Sequence, residues 1–333
     1  MLWQRRTRFI IKIFVVLIFS MNVSAASSNA LKKATGLFNE KKNDEAKKIF
    51  TNIVDEDSRN SDACFYLGRI YLTNGDYDES IEWLNKAVNL NPGASAYHQW
   101  LGNAYMEKGK NTGKIKMISL SKKMKREWER AIELDADNIE TRLNLLKYYI
   151  HVPFIFGGSQ KKAYEQAVEI EKRNAIKGHE AYIEINTAEK EYELAEKEYI
   201  ALIELDPENF DFRQKFVLFL INIKNYEKAY KKLVKMIKDY PDHSWPYFCV
   251  GYMALTSNKY YIEAEKCMQQ FFDVISKSKT ENYPDYRLAE FHYMLGTIYK
   301  KNGKTVLARN EYIAALNLSP TYEEAKEALL KLK

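Results

Sequence analysis

The stretches CFYLGRIY (residues 64–71), HQWLGNAY (98–105) and HYMLGTIY (292–299) share one pattern, and this pattern decides the fold. Each stretch has Leu-Gly at its fourth and fifth positions and Tyr at its eighth, and the first two begin 34 residues apart. Self-similarity at a period of this length is typical of stacked repeats, in which one repeat alone cannot bury its apolar face. The sequence therefore predicts a repeat array.

Small residues and prolines follow the first and third stretches at matching distances. Nine residues after the final Tyr come Ser80 and Ala308, and Pro92 and Pro320 end the two repeats. Small side chains allow two antiparallel helices to approach closely where they cross. Because proline cannot continue a helix, the pattern predicts two antiparallel helices in each repeat.

This arrangement resembles the tetratricopeptide repeat (TPR), whose pattern is W-x-x-L-G-x-x-Y, then A-x-x-x-F, then A and P. The resemblance implies an all-α fold, a right-handed TPR solenoid of about eight helix-turn-helix units with a C-terminal capping helix. The predicted repeats lie near residues 27–60, 61–94, 95–138, 139–175, 176–209, 210–243, 244–288 and 289–322, and the cap spans 321–333.

Composition agrees with a folded helical protein. The chain is 46% hydrophobic and 29% charged, which argues against disorder, and its 13 Gly and 7 Pro are too few for the many turns of an all-β fold. Three cysteines, Cys64, Cys249 and Cys267, are an odd and low number. We therefore expect no disulfide framework, and we predict that Cys249 and Cys267 are core thiols.

The first 25 residues differ from the rest of the chain. Four basic residues precede the short apolar run IFVVLIFSMNV, and Val23 and Ala25 are small residues of the kind that signal peptidase accepts. We predict a cleaved secretory signal over 1–25, with 26–333 as the mature, periplasmic or otherwise extracytoplasmic protein. The alternative is a retained anchor, although the apolar run is about half of the ~20 residues that span a bilayer.

The charge balance argues against nucleic acid as a partner. Four of the 51 Lys and Arg lie in the predicted signal and none of the 45 Asp and Glu does, so the mature chain has a net charge of +2 rather than the formal +6. Nucleic-acid-binding proteins usually show a strong basic excess. We predict no nucleic-acid partner.

A basic segment lengthens the third repeat. About ten residues are added before Ala131, and the segment 108–126 contains eight Lys or Arg and no acid. Met117, Leu120, Met124 and Trp128 recur at helical spacing, which predicts a second helix that is extended at its start. The basic face is either an ordinary solvated surface, which we favour, or a contact for acidic partners or an anionic membrane surface.

The stretch HVPFIFGGSQKKA (151–163) adds five residues between the helices of the fourth repeat. Pro153 moves the preceding residue out of the α region and ends the first helix. Gly157 and Gly158 allow a sharp reversal, and the Ser159 side chain is predicted to cap the second helix.

The apolar part of this loop, Phe154, Ile155 and Phe156, has three interpretations. Our preferred prediction is that it folds back over a gap in the solenoid. The second is that it contacts a partner, because exposed apolar clusters often mark interaction sites. In the third, the Gly-Gly-Ser turn binds an anion through free N–H groups, although the segment does not end like a phosphate loop.

A closer resemblance covers residues 114–163. It is to exported bacterial TPR proteins of unassigned function, whose loop commonly reads P-x-x-x-G-G-x-x-x-K-A, as here from Pro153 to Ala163. The segment is also similar to the helical periplasmic T-component of TRAP-type solute transporters, which combines TPR-like helices with a Gly-Gly turn. No Cys follows the apolar run of the leader, so a lipoprotein anchor has no attachment residue.

The TPR resemblance implies that the first helices line a groove for a partner. The positions that face this groove in the family carry Phe65, Arg69, Gln99, Asn103, Met106, Leu143, Lys147, Gln214, Leu218, Trp245, Phe248 and Tyr252. The aromatics of the seventh repeat either anchor a partner's apolar side chains or pack beneath the 279–288 connection. The Lys and Asn set that clamps peptide carboxylates in some TPR proteins is incomplete, since Asn103 is present but Gln99 replaces its companion.

No catalytic or metal-binding motif occurs. The five histidines are scattered, and His98, His179 and His292 occupy the repeat position usually held by Trp, which predicts packing rather than metal ligation. We predict a noncatalytic scaffold that binds a protein or peptide, with no cofactor and no metal. The alternatives are a transporter accessory subunit that docks a substrate-binding protein, and a helical enzyme near His151.

Overall fold

The structure is a computed structural model that describes residues 28–278 and 283–332. Every regular element in these residues is a helix, so the predicted all-α fold is confirmed. The predicted signal, residues 1–25, lies outside the described residues and stays a prediction. No helix in the described part of the chain is long and apolar enough to cross a membrane.

The chain divides into two compact bodies at Glu198 and Tyr199. The N-terminal body holds α1 (28–39), α2 (Asn43–Glu56), α3 (Ser61–Asn74), α4 (Tyr77–Leu90), α5 (Ser95–Lys110), α6 (Lys114–Leu134), α7 (Ile139–His151), α8 (Gln160–Glu171) and α9 (Ala175–Ala188). The boundary falls within α10 (Tyr192–Leu205). The C-terminal body continues with α11 (Phe210–Asn222), α12 (Tyr226–Asp239), α13 (Ser244–Ser257), α14 (Tyr261–Lys277), α15 (Asp285–Lys301), α16 (Thr305–Leu318) and α17 (Glu323–Leu330).

Within each body, consecutive helices pack as pairs and each pair packs on the next. In the N-terminal body α3 packs on α4, α5 on α6 and α7 on α8, while α4 contacts α5, α6 contacts α7 and α8 contacts α9. In the C-terminal body α17 packs on α16 and ends the series. The chain therefore stacks helix pairs as the repeat pattern predicts.

Small residues lie where paired helices cross. A Cβ at Gly102 of α5 would lie 2.5 Å from Cδ1 of Trp128 on α6, so only glycine fits there. The predicted small residues Ser80 and Ala308 are fully buried, and so are the small residues at the matching positions of other second helices, namely Ala46, Ala163, Ala195, Ala229 and Ala264. This close approach leaves the large side chains to fill the space between neighbouring pairs.

The predicted extension of the second helix in the third repeat is confirmed. Helix α6 has 21 residues, whereas α4 has 14. Trp128 is fully buried and Met124 is half-buried, but Met117 near the start of α6 is 49% exposed. The apolar stripe therefore packs against the core from Leu120 onward, while Met117 remains exposed.

Three repeats use the same histidine–glutamate pair to join their two helices. Nδ1 of His98 lies 2.7 Å from Glu127, Nδ1 of His179 lies 2.6 Å from Glu198, and Nδ1 of His292 lies 2.7 Å from Glu311. His98 is buried, and its Nε2 also lies 3.1 Å from the Pro92 carbonyl oxygen. These side chains are packing residues, as their repeat position predicts, and each also forms a hydrogen bond that the sequence did not reveal.

Candidate partner-binding face

Arg69 is the most distinctive of the predicted groove residues. It lies on α3, and its guanidinium carbon is 4.1 Å from the ring centroid of Trp100 on α5 and 4.6 Å from that of Phe38 on α1. The side chain is half-buried and, within the described residues, it forms no ion pair, while its Nε is buried without a hydrogen-bond partner. Desolvation lowers the pKa of Arg69. Glu140 acts in the opposite direction, since its negative charge raises this pKa, but it forms no ion pair with Arg69 within the described residues. A cation held between aromatic rings without an ion-pair partner is suited to an anionic group of a ligand.

Phe65, one turn before Arg69, serves mainly as a packing residue. Its side chain is buried and stacks on Tyr97 with ring centroids 4.7 Å apart. The Tyr97 hydroxyl donates a hydrogen bond to Asp62 at 2.5 Å. Desolvation and this bond raise the pKa of Tyr97. The predicted groove residue Phe65 therefore positions the neighbouring helices α3 and α5, and its buried ring has little surface to offer a partner.

Gln99 and Asn103 on α5 are buried in an internal amide network. Gln99 Oε1 accepts a hydrogen bond of 2.8 Å from Asn138, which also caps α7 by accepting from the Thr141 N–H. Asn103 Oδ1 accepts from the Trp128 indole N–H at 2.9 Å and from Asn144 at 3.2 Å. Both acceptors thus join α5 to the adjacent helices. Their partners were missed from the sequence because Asn138 and Asn144 lie about 40 residues away.

The remaining predicted residues of this region differ in exposure. Met106 and Leu143 are half-buried and pack against the apolar cluster around Trp128. Lys147 is exposed, and its Nζ lies 4.0 Å from Glu184 on α9. We call Arg69, Trp100, Leu143 and Lys147 the first-helix face, since all four lie on first helices and retain accessible surface. Trp100 was not among the predicted residues, although its place directly before Leu101-Gly102 was a usable signal.

The aromatic residues predicted in the seventh repeat lie in the C-terminal body, and two of them are close together. Phe248 and Tyr252 have ring centroids 6.5 Å apart. Phe248 is half-buried and also lies 5.1 Å from Phe291, which in turn contacts Tyr283 at 5.2 Å. The packing alternative therefore applies to Phe248, whereas Tyr252 is 39% exposed.

The third aromatic of this repeat, Trp245, is half-buried and lies edge-on to Phe210 at 6.4 Å. In the sixth repeat Gln214 is half-buried and Leu218 is 40% exposed. The described part of the 279–288 connection begins at residue 283, and its Tyr283 hydroxyl lies 2.9 Å from Ser244 Oγ. Partner contact by these residues stays a prediction.

The loop after α7 does not cover a gap, so our preferred prediction for it was wrong. Phe154 is 86% exposed and Ile155 is 78% exposed, and together with the half-buried Phe156 they form a single 3₁₀ turn. The predicted helix end, chain reversal and helix cap are confirmed. Helix α7 ends at His151, Gly157 has φ +104°, and Ser159 caps α8 by accepting a hydrogen bond from the Lys162 N–H. The five extra residues project the turn outward instead of folding it back.

The anion-binding interpretation of this loop is also wrong, because the N–H groups that it requires are occupied. The N–H groups of Gly157, Gly158 and Ser159 donate to the carbonyl oxygens of Phe154, Pro153 and Tyr149. Contact with a partner is the interpretation that remains.

The basic segment 108–126 is largely exposed. Within the described residues, some of its cations have acidic partners, such as Lys110 with Glu107 at 2.7 Å, while Lys116 and Lys122 form no ion pair. The described residues contain no group of three or more His, Cys, Asp or Glu side chains placed to hold a metal ion.

Comparisons with known proteins agree with this architecture. Residues 37–110 and 289–322 match family models described as tetratricopeptide repeat. No curated protein matches the chain. The C-terminal part of a TPR repeat-containing protein from Cytophaga hutchinsonii has a similar structure, with a TM-score of 0.51 at 16% identity, covering 90% of this chain and 99% of that one.

Two further solved structures are similar at lower scores. A tetratricopeptide repeat protein from Parabacteroides merdae gives a TM-score of 0.44 at 14% identity and covers 91% of this chain and 97% of that one. A thermophilic TPR protein from Thermus thermophilus gives 0.45 at 17% identity and covers 59% of this chain and 99% of that one. Residues 37–110 and 289–322 therefore match tetratricopeptide repeats in sequence, and the stacked helix pairs share the fold of such repeats.

Proposed function

We propose that this protein is a noncatalytic scaffold that binds a protein or peptide through the first-helix face, in the periplasm or cell envelope. The TPR fold supports the general role, because TPR proteins typically mediate protein–protein interactions. The observation that carries the proposed site is Arg69, a half-buried cation held between Trp100 and Phe38 that forms no ion pair with the described residues. The ligand group is a carboxylate, with an apolar or aromatic side chain next to it for Trp100.

The chemistry of the face supports this choice of ligand. The Arg69 Nε is buried without a hydrogen-bond partner, and a carboxylate accepts from a guanidinium in charge-assisted hydrogen bonds. Aromatic rings and arginine are enriched among residues that contribute most to binding. Lys147 adds a second positive charge to the first-helix face, although Glu184 lies 4.0 Å from its Nζ.

The test is a crosslinked pull-down from envelope extract with the full-length protein and an Arg69→Met variant. Methionine keeps the apolar packing against Trp100 but removes the donors and the charge. Arg59→Gln is the matched control, because Arg59 is an exposed arginine in the same body. A partner that binds the wild type and Arg59→Gln but not Arg69→Met supports the site, provided that circular dichroism shows the variant folded. A partner that all three proteins recover equally would contradict it.

The seventh repeat is tested in the same assay with Tyr252→Asp alone. Substitution of Phe248 is avoided, because its packing against Phe291 makes unfolding the expected result. Loss of the partner with Tyr252→Asp and its retention with Arg69→Met would move the site to the C-terminal body.

A second candidate function is contact of the basic segment 108–126 with an anionic membrane surface. It is favoured by the exposed Lys116 and Lys122, which lack ion-pair partners within the described residues. Each lysine or arginine near an anionic bilayer contributes about 1 kcal/mol to binding. The role of a transporter accessory subunit stays a prediction.

A further inference from the structure

The loop between α7 and α8 presents two large apolar side chains to solvent on a fixed backbone. Phe154 and Ile155 are 86% and 78% exposed. The turn that carries them is held by a hydrogen bond of 2.8 Å from the Tyr148 hydroxyl to the Phe156 carbonyl oxygen and by the Gly158 N–H bond to Pro153. A Cβ at Gly158 would lie 1.7 Å from the Val152 carbonyl oxygen, so the chain reverses at a point where no side chain fits. The apolar tip is thus an ordered projection.

A lysine of α6 lies beside this projection, and further lysines are close to it along the chain or on the same helix. The Lys125 Nζ on α6 lies 4.0 Å from the position that a Cβ of Gly157 would occupy. Lys122 precedes Lys125 by one helical turn, and Lys161 and Lys162 begin α8 directly after the loop. Glu129 is shared, since its Oε1 lies 3.5 Å from Lys125 and 3.9 Å from Lys162. Because one carboxylate serves two lysines, and Lys122 and Lys161 have no ion-pair partner in the described chain, the base of the loop retains positive charge.

We propose that Phe154 and Ile155 insert into the interfacial layer of an anionic lipid bilayer while Lys122, Lys125, Lys161 and Lys162 contact its headgroups. Apolar side chains next to basic ones are the combination by which peripheral proteins bind such surfaces. A protein partner typically covers about 800 Å² of surface on each side. The loop instead offers two protruding side chains with Lys125 beside them and further lysines on the adjoining helix turns, a combination that suits a soft, negatively charged surface better than a rigid one.

This inference rests on the second candidate function and extends it. To the contact made by the basic segment it adds an apolar insertion by a loop that lies outside this segment. The two are separable in one experiment, since the charge and the apolar tip are removed by different substitutions.

The experiment measures binding to phosphatidylcholine vesicles with and without phosphatidylglycerol by cosedimentation. All proteins carry the N-terminus that mass spectrometry finds on the natural protein. We expect Phe154→Ser combined with Ile155→Ser to lower the partition coefficient on anionic vesicles by about tenfold or more, since each buried apolar side chain contributes strongly to transfer from water. We expect Val306→Ser combined with Leu330→Ser to leave it unchanged. These control residues are 73% and 83% exposed but lie in the C-terminal body.

A second measurement reports on the loop itself and is insensitive to any binding by the N-terminal segment. An environment-sensitive dye on Ile155→Cys is expected to shift to shorter wavelength on anionic vesicles and to be quenched by brominated lipid. The same dye on Val306→Cys is expected to show neither change.

The outcomes are distinct. If Lys122→Gln combined with Lys161→Gln weakens binding but the serine pair and the dye at 155 report no insertion, the basic contact stands and the inference fails. If no protein binds anionic vesicles and the dye does not respond, both fail. If the loop crosslinks to a protein and does not bind vesicles, the inference is also overturned and the tip is assigned to a protein partner.

Discussion

Replacement of Asn103 by leucine tests whether this predicted groove residue is structural. The substitution keeps the branched shape of the side chain but removes the acceptor that the indole N–H of Trp128 and the amide of Asn144 share. Trp128 is 1% exposed, so its N–H has no access to water as a substitute. A buried donor left without an acceptor costs about 1–3 kcal/mol, whereas the half-buried Asn144 can turn to solvent. We expect Asn103→Leu to lower the free energy of unfolding by about 2 kcal/mol.

The assay is urea unfolding followed by tryptophan fluorescence and far-ultraviolet circular dichroism. A double-mutant cycle with Trp128→Phe isolates the hydrogen bond, and we expect a coupling energy of about 1 kcal/mol. Asn111→Leu is the matched control, because Asn111 is exposed at the C-terminal end of α5, where its side-chain amide donates a hydrogen bond to the Glu107 carbonyl oxygen. We expect it to change stability by less than about 0.5 kcal/mol.

Two results would refute this reasoning. If Asn103→Leu changes stability no more than Asn111→Leu does, the network does not hold α5, α6 and α7 together. If the cycle gives no coupling, the loss of stability comes from a source other than the indole bond. A variant that is fully stable but fails to capture a partner would restore Asn103 as a direct contact.

Three further predictions concern backbone packing, thiol chemistry and acid stability. Gly158→Ala is expected to destabilise the protein by about 3 kcal/mol through overpacking against the Val152 carbonyl oxygen. Gly36→Ala is expected to stabilise it by about 0.5–1 kcal/mol, because Gly36 lies in α1 and nothing lies within 4 Å of the new Cβ. Thermal unfolding of the two variants tests both expectations. Burial raises the pKa of Cys249 to about 12 and that of Cys267 to about 11, so we expect both thiols to react slowly with iodoacetamide at neutral pH and rapidly in denaturant, as peptide mapping will show. Hydrogen bonds from Lys172 and Arg173 lower the pKa of Glu169 from 4.5 to about 2. Because the pKa is lower in the folded state than in the unfolded state, the ionised carboxylate stabilises the fold fully above pH 4.5. This contribution to stability disappears as the pH falls towards 2. The difference in unfolding free energy between wild type and Glu169→Gln should therefore shrink across that range, from a modest starting value, since a side chain one-third exposed is partly screened by solvent.

The repeat signal was strong because it depends on residues that constrain the backbone locally or recur at a fixed period. Gly102 fits beneath Trp128 because any larger residue would clash, so the Leu-Gly pair identifies a helix crossing without reference to the rest of the chain. The end of α7 and the start of α8 were also predicted from the sequence, since Pro153 and Ser159 act on their immediate neighbours. Such short-range effects explain why the all-α fold of stacked helix pairs was predicted correctly.

The function of individual side chains was predicted less well, because it depends on residues that are distant in sequence. Gln99 and Asn103 occupy groove positions of the repeat, yet Asn138 and Asn144 convert them into internal acceptors. The three histidines were correctly assigned to packing, but their glutamate partners lie 19 to 29 residues away and were not recognised. A repeat frame gives the position of a side chain on its helix but not the chemistry of the helix beside it.

By itself, the sequence determined an all-α array of tetratricopeptide helix pairs, because close helix crossings and helix ends require particular small residues and prolines at a fixed spacing. Only the tertiary structure decided which of the candidate residues remain available to a partner. It placed Arg69 between two rings without an ion-pair partner in the described residues, buried Asn103, and exposed Phe154 and Ile155 where a covering role was expected. Exposure and pairing are set by side chains from neighbouring helices and loops, and no local pattern encodes those distances.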